Sequence, residues 1–299
     1  MNHKTVNLIG DITSEDEHIL LKMWSVTISA GRRPLTKHQH LNFEIMMVDS
    51  GSGIYTTDNE SHSITKGDIF VFSSNEQHCI TATGVDGLCI TNLQFDPQFI
   101  QYNGTNFDYT TVITNSRFCF QHNPLFQNKI DAKDAAELIQ LFCLIKNELF
   151  GQSEEYVLSI KSYLQLLLIK LVRDFGYMDK TNTMNAEQLS HIHHALVYID
   201  EHFTEQITLQ ELASLAGLTS NYLCSLFKQI SGMTLWDYIS AKRINKAAQL
   251  LTTQDNTMNI LEIAMHCGYN STANFNKSFK KITGMTPSEY RSNNYVMIS

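Results

Sequence analysis

A segment of eight residues occurs twice near the C-terminal end of the chain. Residues 227–234 are FKQISGMT and residues 279–286 are FKKITGMT, so six of the eight positions are identical at a separation of 52 residues. A repeat this close indicates that one supersecondary unit is used twice. Upstream of each copy, an apolar residue and an alanine come four residues before a glycine: Leu212-Ala213 before Gly217, and Ile263-Ala264 before Gly268. Because alanine lets two helices approach closely and glycine turns the chain, this pattern is typical of a helix-turn-helix.

The pattern also predicts the bounds of the helices. In the first unit a supporting helix covers residues 209–216 and a second helix 220–230, and the corresponding helices of the second unit cover 259–266 and 271–282. Apolar residues between 235 and 251 predict one continuous helix that connects the two units. Two start signals indicate helices in this region, since Thr208 with Glu211 and Thr286 with Glu289 both match the capping-box pattern.

Two helix-turn-helix units in one compact region indicate binding to duplex DNA. An apolar stripe along each second helix predicts its buried side, and the opposite side carries the candidate DNA-binding residues, although a solvated surface is the alternative role for any single one. The candidates are Asn221, Cys224, Ser225 and Lys228 in the first unit and Thr272, Ala273, Asn276, Lys277, Lys280 and Lys281 in the second. Asparagine can pair with adenine, lysine can reach guanine, and a methyl group such as that of Ala273 can meet thymine. Lys228, Lys280 and Lys281 lie near the helix ends and are expected to contact phosphates.

The charge of this region is not that of a strongly basic DNA-binding domain. Residues 185–299 contain eight Lys and Arg against nine Asp and Glu, a net charge of −1, and residues 1–184 contain fourteen against twenty-one, a net charge of −7. Positive charge is concentrated on two predicted helices, at Lys277, Lys280 and Lys281 and at Lys242, Arg243 and Lys246. We therefore expect a basic stripe on a neutral domain, with modest non-specific affinity for DNA.

The N-terminal part of the chain, residues 1–125, is predicted to form a β-barrel or jelly roll. Short runs rich in β-branched and aromatic residues, at 24–28, 43–48, 69–72 and 88–93, are separated by Gly, Ser, Asn and Asp. One such separator is Asp49-Ser50-Gly51-Ser52-Gly53.

Residues 126–180 change to a helical period. Apolar residues recur at helical spacing before and after Gly151-Gln152-Ser153, which predicts an αα-hairpin. The hairpin either only folds back on the barrel or also forms a dimer interface. A polar linker at 178–186 then leads to the C-terminal domain, residues 185–299. The predicted fold class is α+β with two domains, a β-barrel with a helical hairpin and an all-α domain.

Histidines form a second motif in the predicted barrel. His38, His40 and Glu44 precede Gly51, and His78 follows Gly67 by 11 residues; this spacing resembles the two sequence motifs of cupins. Three His and one Glu that converge in a barrel can ligate a divalent metal such as Fe, Mn or Zn. The second motif departs from the cupin pattern, however, with Ser73, Asn75 and Ala82 at positions where cupins have Pro, Gly and Asn.

Three interpretations of these histidines remain open: a metal site, a polar effector pocket, and histidines with a structural role. In the pocket interpretation, the barrel interior holds one small ligand. Its polar contacts are Arg32, Arg33, His38, His40, Glu44 and His78, and Trp24, Phe43 or Tyr55 provide an apolar wall. Polar groups beside aromatic faces suit a sugar.

The C-terminal region resembles the AraC/XylS family of bacterial transcription regulators, with matching residues in order and spacing from Ile192 to Arg291. They are Leu212-Ala213, Tyr222-Leu223, Phe227-Lys228, Gly232, Tyr238, Arg243, Ala247, Leu250-Leu251, Ile263-Ala264, Gly268-Tyr269, Phe275, Phe279-Lys280, Gly284, Thr286-Pro287 and Tyr290-Arg291. The resemblance implies two units that enter successive major grooves and an N-terminal domain that senses a small molecule. We expect a transcription activator that acts as a homodimer and contacts RNA polymerase.

The competing hypothesis is a metal-dependent cupin enzyme with a helical accessory domain. An enzyme needs no second helix-turn-helix, and the second cupin motif is incomplete, so both features favour a regulator without catalysis or cofactor. Six scattered cysteines without a C-x-x-C pair, an N-terminus without an apolar run and no long apolar stretch predict a cytoplasmic protein that does not enter a membrane.

Overall fold

The computed structural model describes residues 4–13, 19–30, 42–56, 61–72, 78–96, 99, 126–177, 186–231, 233–252 and 257–292. The described residues before position 178 form one compact unit, and those after position 185 form a second. Among these residues, no helix combines the length and the apolar character needed to cross a membrane.

The N-terminal compact unit is an antiparallel sheet followed by two helices. Its described strands are β1 (Lys4–Thr13), β2 (Ile19–Ile28), β3 (Phe43–Thr56), β4 (Ser61–Thr65), β5 (Ile69–Phe72), β6 (Cys79–Ala82), β7 (Leu88–Phe95) and β8 (Lys129–Ile130). The order across the sheet is β1-β2-β7-β3-β5-β8, and β4 and β6 both pair with β3. This antiparallel arrangement confirms the α+β fold class for the N-terminal region.

Strand β3 continues through the segment that the sequence predicts as a break. Its first part pairs with β5 and β7, and its second part, from Ser52 onwards, pairs with β4 and β6. The register between β3 and β7 shifts between Val48 and Ser50, which marks a bulge. A bulge bends its strand without ending it, so the small polar residues after position 48 redirect β3 and do not terminate it.

The two faces of the sheet contact different partners, because side chains alternate along a strand. One face carries Met23, Ile45, Val71 and Leu93, which pack against the helical hairpin. On the other face, the ring of Tyr55 from the second part of β3 packs against the rings of Phe70 and Phe72 of β5, with centroid distances of 4.8 and 4.9 Å. The second face is therefore an interior surface that the bent strand β3 folds over.

The hairpin consists of α1 (Ala136–Gly151) and α2 (Tyr156–Asp174). Its turn uses left-handed backbone conformations at Gln152 and Glu155. The buried side of both helices, including Phe142 and Leu168, joins the core against the sheet. The amphipathic spacing in the sequence thus predicted both helices and their buried side.

The C-terminal compact unit is helical in all of its described elements. They are α3 (Ala186–His202), α4 (Leu209–Leu215), α5 (Ser220–Ser231), α6 (Leu235–Thr252), α7 (Ile260–His266), α8 (Thr272–Thr283) and α9 (Pro287–Ser292). Helices α4 and α5 form the first predicted helix-turn-helix, and α7 and α8 form the second. Helix α6 is the predicted connection between them. Each observed bound lies within one residue of the predicted one.

Candidate DNA-binding surface and effector pocket

The repeated segment makes the same contacts in both copies. The Ser231 hydroxyl donates to the carbonyl oxygens of Phe227 and Met233 at 2.8 and 3.1 Å, and it accepts from the Met233 amide at 3.3 Å. Thr283 makes the equivalent bonds to Phe279 and Met285 at the same three distances. The hydroxyl holds the chain in a fixed turn after α5 and after α8, the second helix of each helix-turn-helix and here called its recognition helix. This explains why both copies of the repeat have a serine or threonine at this position.

The turn inside each unit is also duplicated. Gly217 and Gly268 adopt positive φ angles of 65° and 83°. After each glycine, the next amide donates to the carbonyl of the alanine in the supporting helix, from Leu218 to Ala213 and from Tyr269 to Ala264, both at 2.9 Å. This hydrogen bond is the helix-ending pattern for which glycine is best suited, because it has no Cβ to strain the left-handed conformation.

Capping boxes fix the start of the supporting helices. The Thr208 amide donates to the Glu211 carboxylate at 2.8 Å, while the Glu211 amide donates to the Thr208 hydroxyl at 3.2 Å. The bond from the Thr208 backbone is the main reason why the pKa of Glu211 is lowered. Asn259 and Glu262 form the same box before α7, which the sequence analysis did not predict because asparagine stands where threonine was sought.

Most of the candidate DNA-binding residues lie on the surface of α5 and α8. Asn221, Ser225, Lys228, Ala273, Asn276, Lys277, Lys280 and Lys281 are exposed, and Cys224 and Thr272 are partly exposed. The opposite sides of both helices are buried, through residues such as Phe227 and Phe279. Each recognition helix therefore presents polar atoms that can contact base edges and phosphates.

Lys281 has an intramolecular partner on the surface. Its Nζ lies 3.0 Å from Asp237 Oδ1, and the two side chains are 68% and 49% exposed. Asp237 also accepts from the Thr234 hydroxyl, and this bond is the first reason why the pKa of Asp237 is lowered. An exposed ion pair of this kind contributes little to stability, so Lys281 can exchange its carboxylate partner for a phosphate.

The predicted basic stripe on α6 is wrong. Lys242 is buried, with its Nζ 2.5 Å from Asp200 Oδ1, and the Tyr238 hydroxyl donates to the same carboxylate oxygen at 3.1 Å. Because α6 passes through the interior of the unit, this lysine helps to hold α3 against α6 and is not available to DNA phosphates. Lys246, the second residue assigned to that stripe, is partly exposed. Its Nζ lies 5.8 Å from the centre of the Phe203 ring.

Arg243, the third member of that stripe, also has a structural role. Its Nε donates to the Phe203 carbonyl at 2.6 Å and its Nη2 to the Glu205 carbonyl at 2.7 Å. The guanidinium lies 5.7 Å from the centre of the Tyr269 ring, and burial lowers its pKa. Arg243 thus connects the loop after α3 with the turn of the second helix-turn-helix unit.

Of the residues proposed for the effector pocket, Glu44 and His78 lie among the described part of the chain, whereas Arg32, Arg33, His38 and His40 lie outside it. Both described residues are buried, and His78 Nε2 lies 3.4 Å from Glu44 Oε2. The His78 ring stacks on Phe72 at 4.4 Å. The structure therefore brings together two residues that are 34 positions apart in the sequence, on the interior face of the sheet.

Two polar residues of this interior face were missed. Asn92 and Gln94 on β7 are both buried, and Gln94 lies directly opposite Glu44 in the register of β3 and β7. Trp24 lies opposite Asn92 on the other side of β7. Within the described residues, Trp24 Nε1, Asn92 Nδ2 and Gln94 Nε2 are buried without a hydrogen-bond partner. The signal in the sequence was an asparagine and a glutamine two positions apart in a strand in which Thr91 is the one other uncharged polar residue besides Cys89.

Two further details correct or extend the predicted pocket. Phe43 is not part of the interior wall, because it lies on the hairpin side of the sheet, where its ring contacts Phe95 and Tyr177 at 5.0 and 5.8 Å. Lys22, opposite Gln94 in β2, was not predicted. Burial lowers the pKa of Lys22, and the neighbouring Asp11 partly opposes that shift.

The metal interpretation gains no support from the described residues. None of them form a cluster of three or more His, Cys, Asp or Glu side chains that could hold an ion. Glu44 and His78 supply only two potential ligands, and the other two that the sequence suggested lie outside the described ranges.

Comparison with known proteins agrees with both regions. The family described as a helix-turn-helix domain matches residues 212–293, and the AraC-like ligand binding domain matches residues 28–132. The melibiose operon regulatory protein of Escherichia coli K12 is 25% identical over 265 residues, which cover 86% of this chain and 83% of that protein. The Tn10 TetD protein of Escherichia coli is 36% identical over 123 residues, which cover 39% of this chain and 88% of TetD.

The fold is similar to that of ToxT from Vibrio cholerae O395. The TM-score is 0.56 at 12% identity, and the alignment covers 98% of this chain and 99% of ToxT. The chain belongs to the AraC family of transcription regulators, with a ligand-binding domain followed by a DNA-binding domain. The predicted family and the predicted two-domain fold are thereby confirmed.

Proposed function

We propose that this protein is a transcription activator that binds DNA through α5 and α8 and is controlled by a small hydroxyl-rich effector, such as a sugar, bound on the interior face of the N-terminal sheet. The observation that supports this function best is the duplicated helix-turn-helix, in which two recognition helices of the same construction present different polar residues. It acts in the cytoplasm, as a homodimer, and recruits RNA polymerase.

The DNA-binding role assigns base contacts to the middle of each recognition helix and phosphate contacts to its end. Asn276 and Lys277 contact base edges, and Lys228 and Lys280 contact phosphates. Because α6 is one continuous helix between the two units, both recognition helices occupy major-groove segments about one helical turn apart.

Footprinting on duplexes selected with the full-length protein tests this assignment. Hydroxyl-radical protection and guanine methylation interference should identify two major-groove segments in each half-site, separated by about one turn. Protection of a single groove segment would contradict the use of both units. The control is a variant with Asn276 and Lys277 both changed to alanine, which should lose the pattern in one segment only.

The effector site combines hydrogen-bonding groups with aromatic walls. Glu44 supplies acceptors, Asn92 and Gln94 supply both donors and acceptors, and Trp24 and Tyr55 supply apolar surface. Buried donors without a protein partner are costly, and ligand hydroxyl groups satisfy them. The name of the melibiose operon regulatory protein refers to a sugar, which is consistent with this class of effector.

Thermal-shift screening of the full-length protein against sugars and polyols tests the effector class, because a ligand that binds the folded state raises the unfolding temperature. Glu44→Gln and Gln94→Leu should each abolish the shift. Met47→Leu is the matched control, since Met47 is a buried residue of the same strand as Glu44 but belongs to the hairpin side. A shift that survives both substitutions would place the effector elsewhere.

The hairpin is the proposed dimer interface, and the proposed domain limits are residues 1–125 for the sensor barrel, 126–180 for the hairpin and 185–299 for DNA binding. Leu158, Ser162 and Leu166 form an exposed stripe along α2, with Leu158 61% and Leu166 44% exposed. Sedimentation of the double variant Leu158→Lys/Leu166→Lys should show monomers. Leu261→Lys, an equally exposed leucine in the other unit, should leave the dimer intact.

A further inference from the structure

A cleft of about 480 Å³ opens between α6 and α8 in the second helix-turn-helix unit. Ser240 and Arg243 of α6 line one wall, and Asn274, Lys277 and Ser278 of α8 line the other. The lining residues that the structure describes include three cations, the third being Lys281, and no acidic residue. This concentration of positive charge is notable in a domain whose net charge is −1.

The charge of Arg243 is not neutralised by its own contacts. Its two hydrogen bonds go to backbone carbonyl oxygens, which accept hydrogen bonds but carry no full negative charge. Burial of the guanidinium makes an uncompensated charge more costly, and guanidinium groups bind phosphates with good geometry. Among the described residues, Lys277 has no carboxylate within salt-bridge distance. Of the three cleft cations, Arg243 and Lys277 therefore have no carboxylate partner among the described residues, whereas Lys281 pairs with the exposed Asp237 and can exchange it for a phosphate.

The internal repeat shows that the cations are not required by the helix-turn-helix framework. At the separation of 52 residues, Lys277 corresponds to Ser225 and Lys281 to Gln229, while Phe279 and Phe227 fill the same buried position. The hydroxyl of Ser278 corresponds to the apolar Leu226, which is buried. Both units thus keep the same core, but only the second has cations at the recognition-helix positions that line this cleft.

We propose that the cleft between α6 and α8 is a binding site for a phosphate group, contacted by Arg243, Lys281 and the hydroxyls of Ser240 and Ser278. Two sources share this chemistry: a backbone phosphate of the DNA beside the second recognition helix, and a free phosphorylated metabolite. The first source rests on the proposed function, whereas the second does not. A cleft of this volume accommodates a phosphate together with a sugar ring.

Ser240→Asp is the decisive variant, because it places a negative charge in the cleft on α6, away from the predicted base contacts. Ser288→Asp is its matched control, since Ser288 is exposed on α9 and adds the same charge to the same unit outside the cleft. Lys281→Gln removes one cleft cation from an exposed position that tolerates substitution. Urea unfolding of each full-length variant shows whether the fold is retained.

The first measurement is a ³¹P NMR titration of the full-length protein without DNA, with inorganic phosphate and with glucose 6-phosphate as probes. A free-ligand site gives saturable binding to one of these probes in the wild type and in Ser288→Asp. The affinity falls about tenfold or more in Ser240→Asp, since a charge-assisted hydrogen bond contributes at least that factor.

The second measurement replaces single phosphates by neutral methylphosphonates along a duplex selected with the wild-type protein. If the cleft binds a DNA phosphate, one or two replacements per half-site weaken binding by the wild type and by Ser288→Asp about tenfold. The same replacements affect Ser240→Asp and Lys281→Gln less than about twofold, because these variants have already lost the contact.

The proposal is overturned if neither probe shows a binding difference between the wild type and Ser240→Asp and no methylphosphonate position loses its effect in that variant. If no duplex can be selected, the proposed DNA-binding function fails, and the titration alone then decides whether the cleft binds phosphate. Saturable binding that Ser240→Asp abolishes would support the site, and absence of binding would reject it.

Discussion

Replacing Gly268 by alanine should lower the free energy of unfolding of the C-terminal compact unit far more than the same change at Gly217. Both glycines have positive φ angles and end a supporting helix in the same way. They differ in their surroundings. A Cβ at Gly217 would meet its nearest atom, in the His191 ring, at 3.7 Å, whereas a Cβ at Gly268 would lie 2.5 Å from the Thr204 carbonyl oxygen and 3.0 Å from Arg243 Nε.

The magnitude follows from separating the two effects. A left-handed alanine costs about 1–2 kcal/mol relative to the right-handed form, and the reduced entropy of the unfolded chain offsets about 0.4–1 kcal/mol of that loss. This leaves about 1 kcal/mol for Gly217→Ala. At Gly268 the backbone around Thr204 must also move, and overpacking adds about 1–3 kcal/mol. The movement weakens the bond between Arg243 and the Phe203 carbonyl, so we expect a total of about 3–4 kcal/mol.

Urea unfolding followed by tryptophan fluorescence measures the difference. The chain has two tryptophans, Trp24 in the sheet and Trp236 in α6. In a Trp24→Phe background the fluorescence therefore reports on the C-terminal compact unit alone. With an m value of about 2 kcal/mol/M, the midpoint should fall by about 0.5 M for Gly217→Ala and by 1.5 M or more for Gly268→Ala, on the same scale. Equal shifts would refute the argument that contact with Thr204, beyond the shared φ strain, requires glycine at position 268.

Three further outcomes are expected. Asp200→Asn should lower the free energy of unfolding by about 3–5 kcal/mol, because it leaves the buried Lys242 charge unpaired; the double variant Asp200→Leu/Lys242→Met should recover most of that loss, and a single-variant loss below about 1 kcal/mol would contradict the role of the pair. In binding to selected duplexes, Asn276→Ala should relax base preference at one position at a cost of about 1–3 kcal/mol. Lys280→Ala should instead weaken binding to all sequences alike and reduce the slope of log affinity against log salt by about one. Identical effects of the two variants would show that the contacts are assigned wrongly. Burial raises the pKa of Cys267 to about 12, which keeps its thiol protonated at pH 8. Iodoacetamide should therefore label Cys267 only after urea unfolds the C-terminal compact unit. Labelling of the native protein, detected by mass spectrometry, would contradict this.

Features fixed by local chain chemistry could be predicted from the sequence, whereas features set by tertiary contacts could not. The helix bounds of the second unit follow from capping residues and turn glycines close to each boundary, as at Thr208 and Gly217, and the structure agrees with them closely. The burial of Lys242 depends on Asp200, which lies 42 positions away, and no local pattern distinguishes a buried lysine from an exposed one. The prediction of a basic stripe on α6 failed for that reason.

The interior face of the sheet shows the same limit. The spacing of Glu44 and His78 was visible as part of a known motif, but Asn92 and Gln94 became candidates only when the register placed them opposite Met46 and Glu44. Strand β3 was predicted to stop near Asp49 because small polar residues usually end a strand. The bulge after Val48 keeps it paired, and only the pairing with β7 shows that the break is a bend.

The comparison of the two recognition helices indicates what kind of DNA site one protomer requires. The lysine pair Lys228 and Lys280 is the only identical pair among the exposed candidates at equivalent positions, and both are expected to contact phosphates. The candidates for base contacts differ, since Cys224 and Ser225 in the first unit correspond to Asn276 and Lys277 in the second. A shared phosphate contact positions both helices in the same way, while different side chains select different bases. One protomer should therefore recognise two unlike subsites in a fixed order, so that each half-site has a direction and exchanging its two subsites removes specific binding.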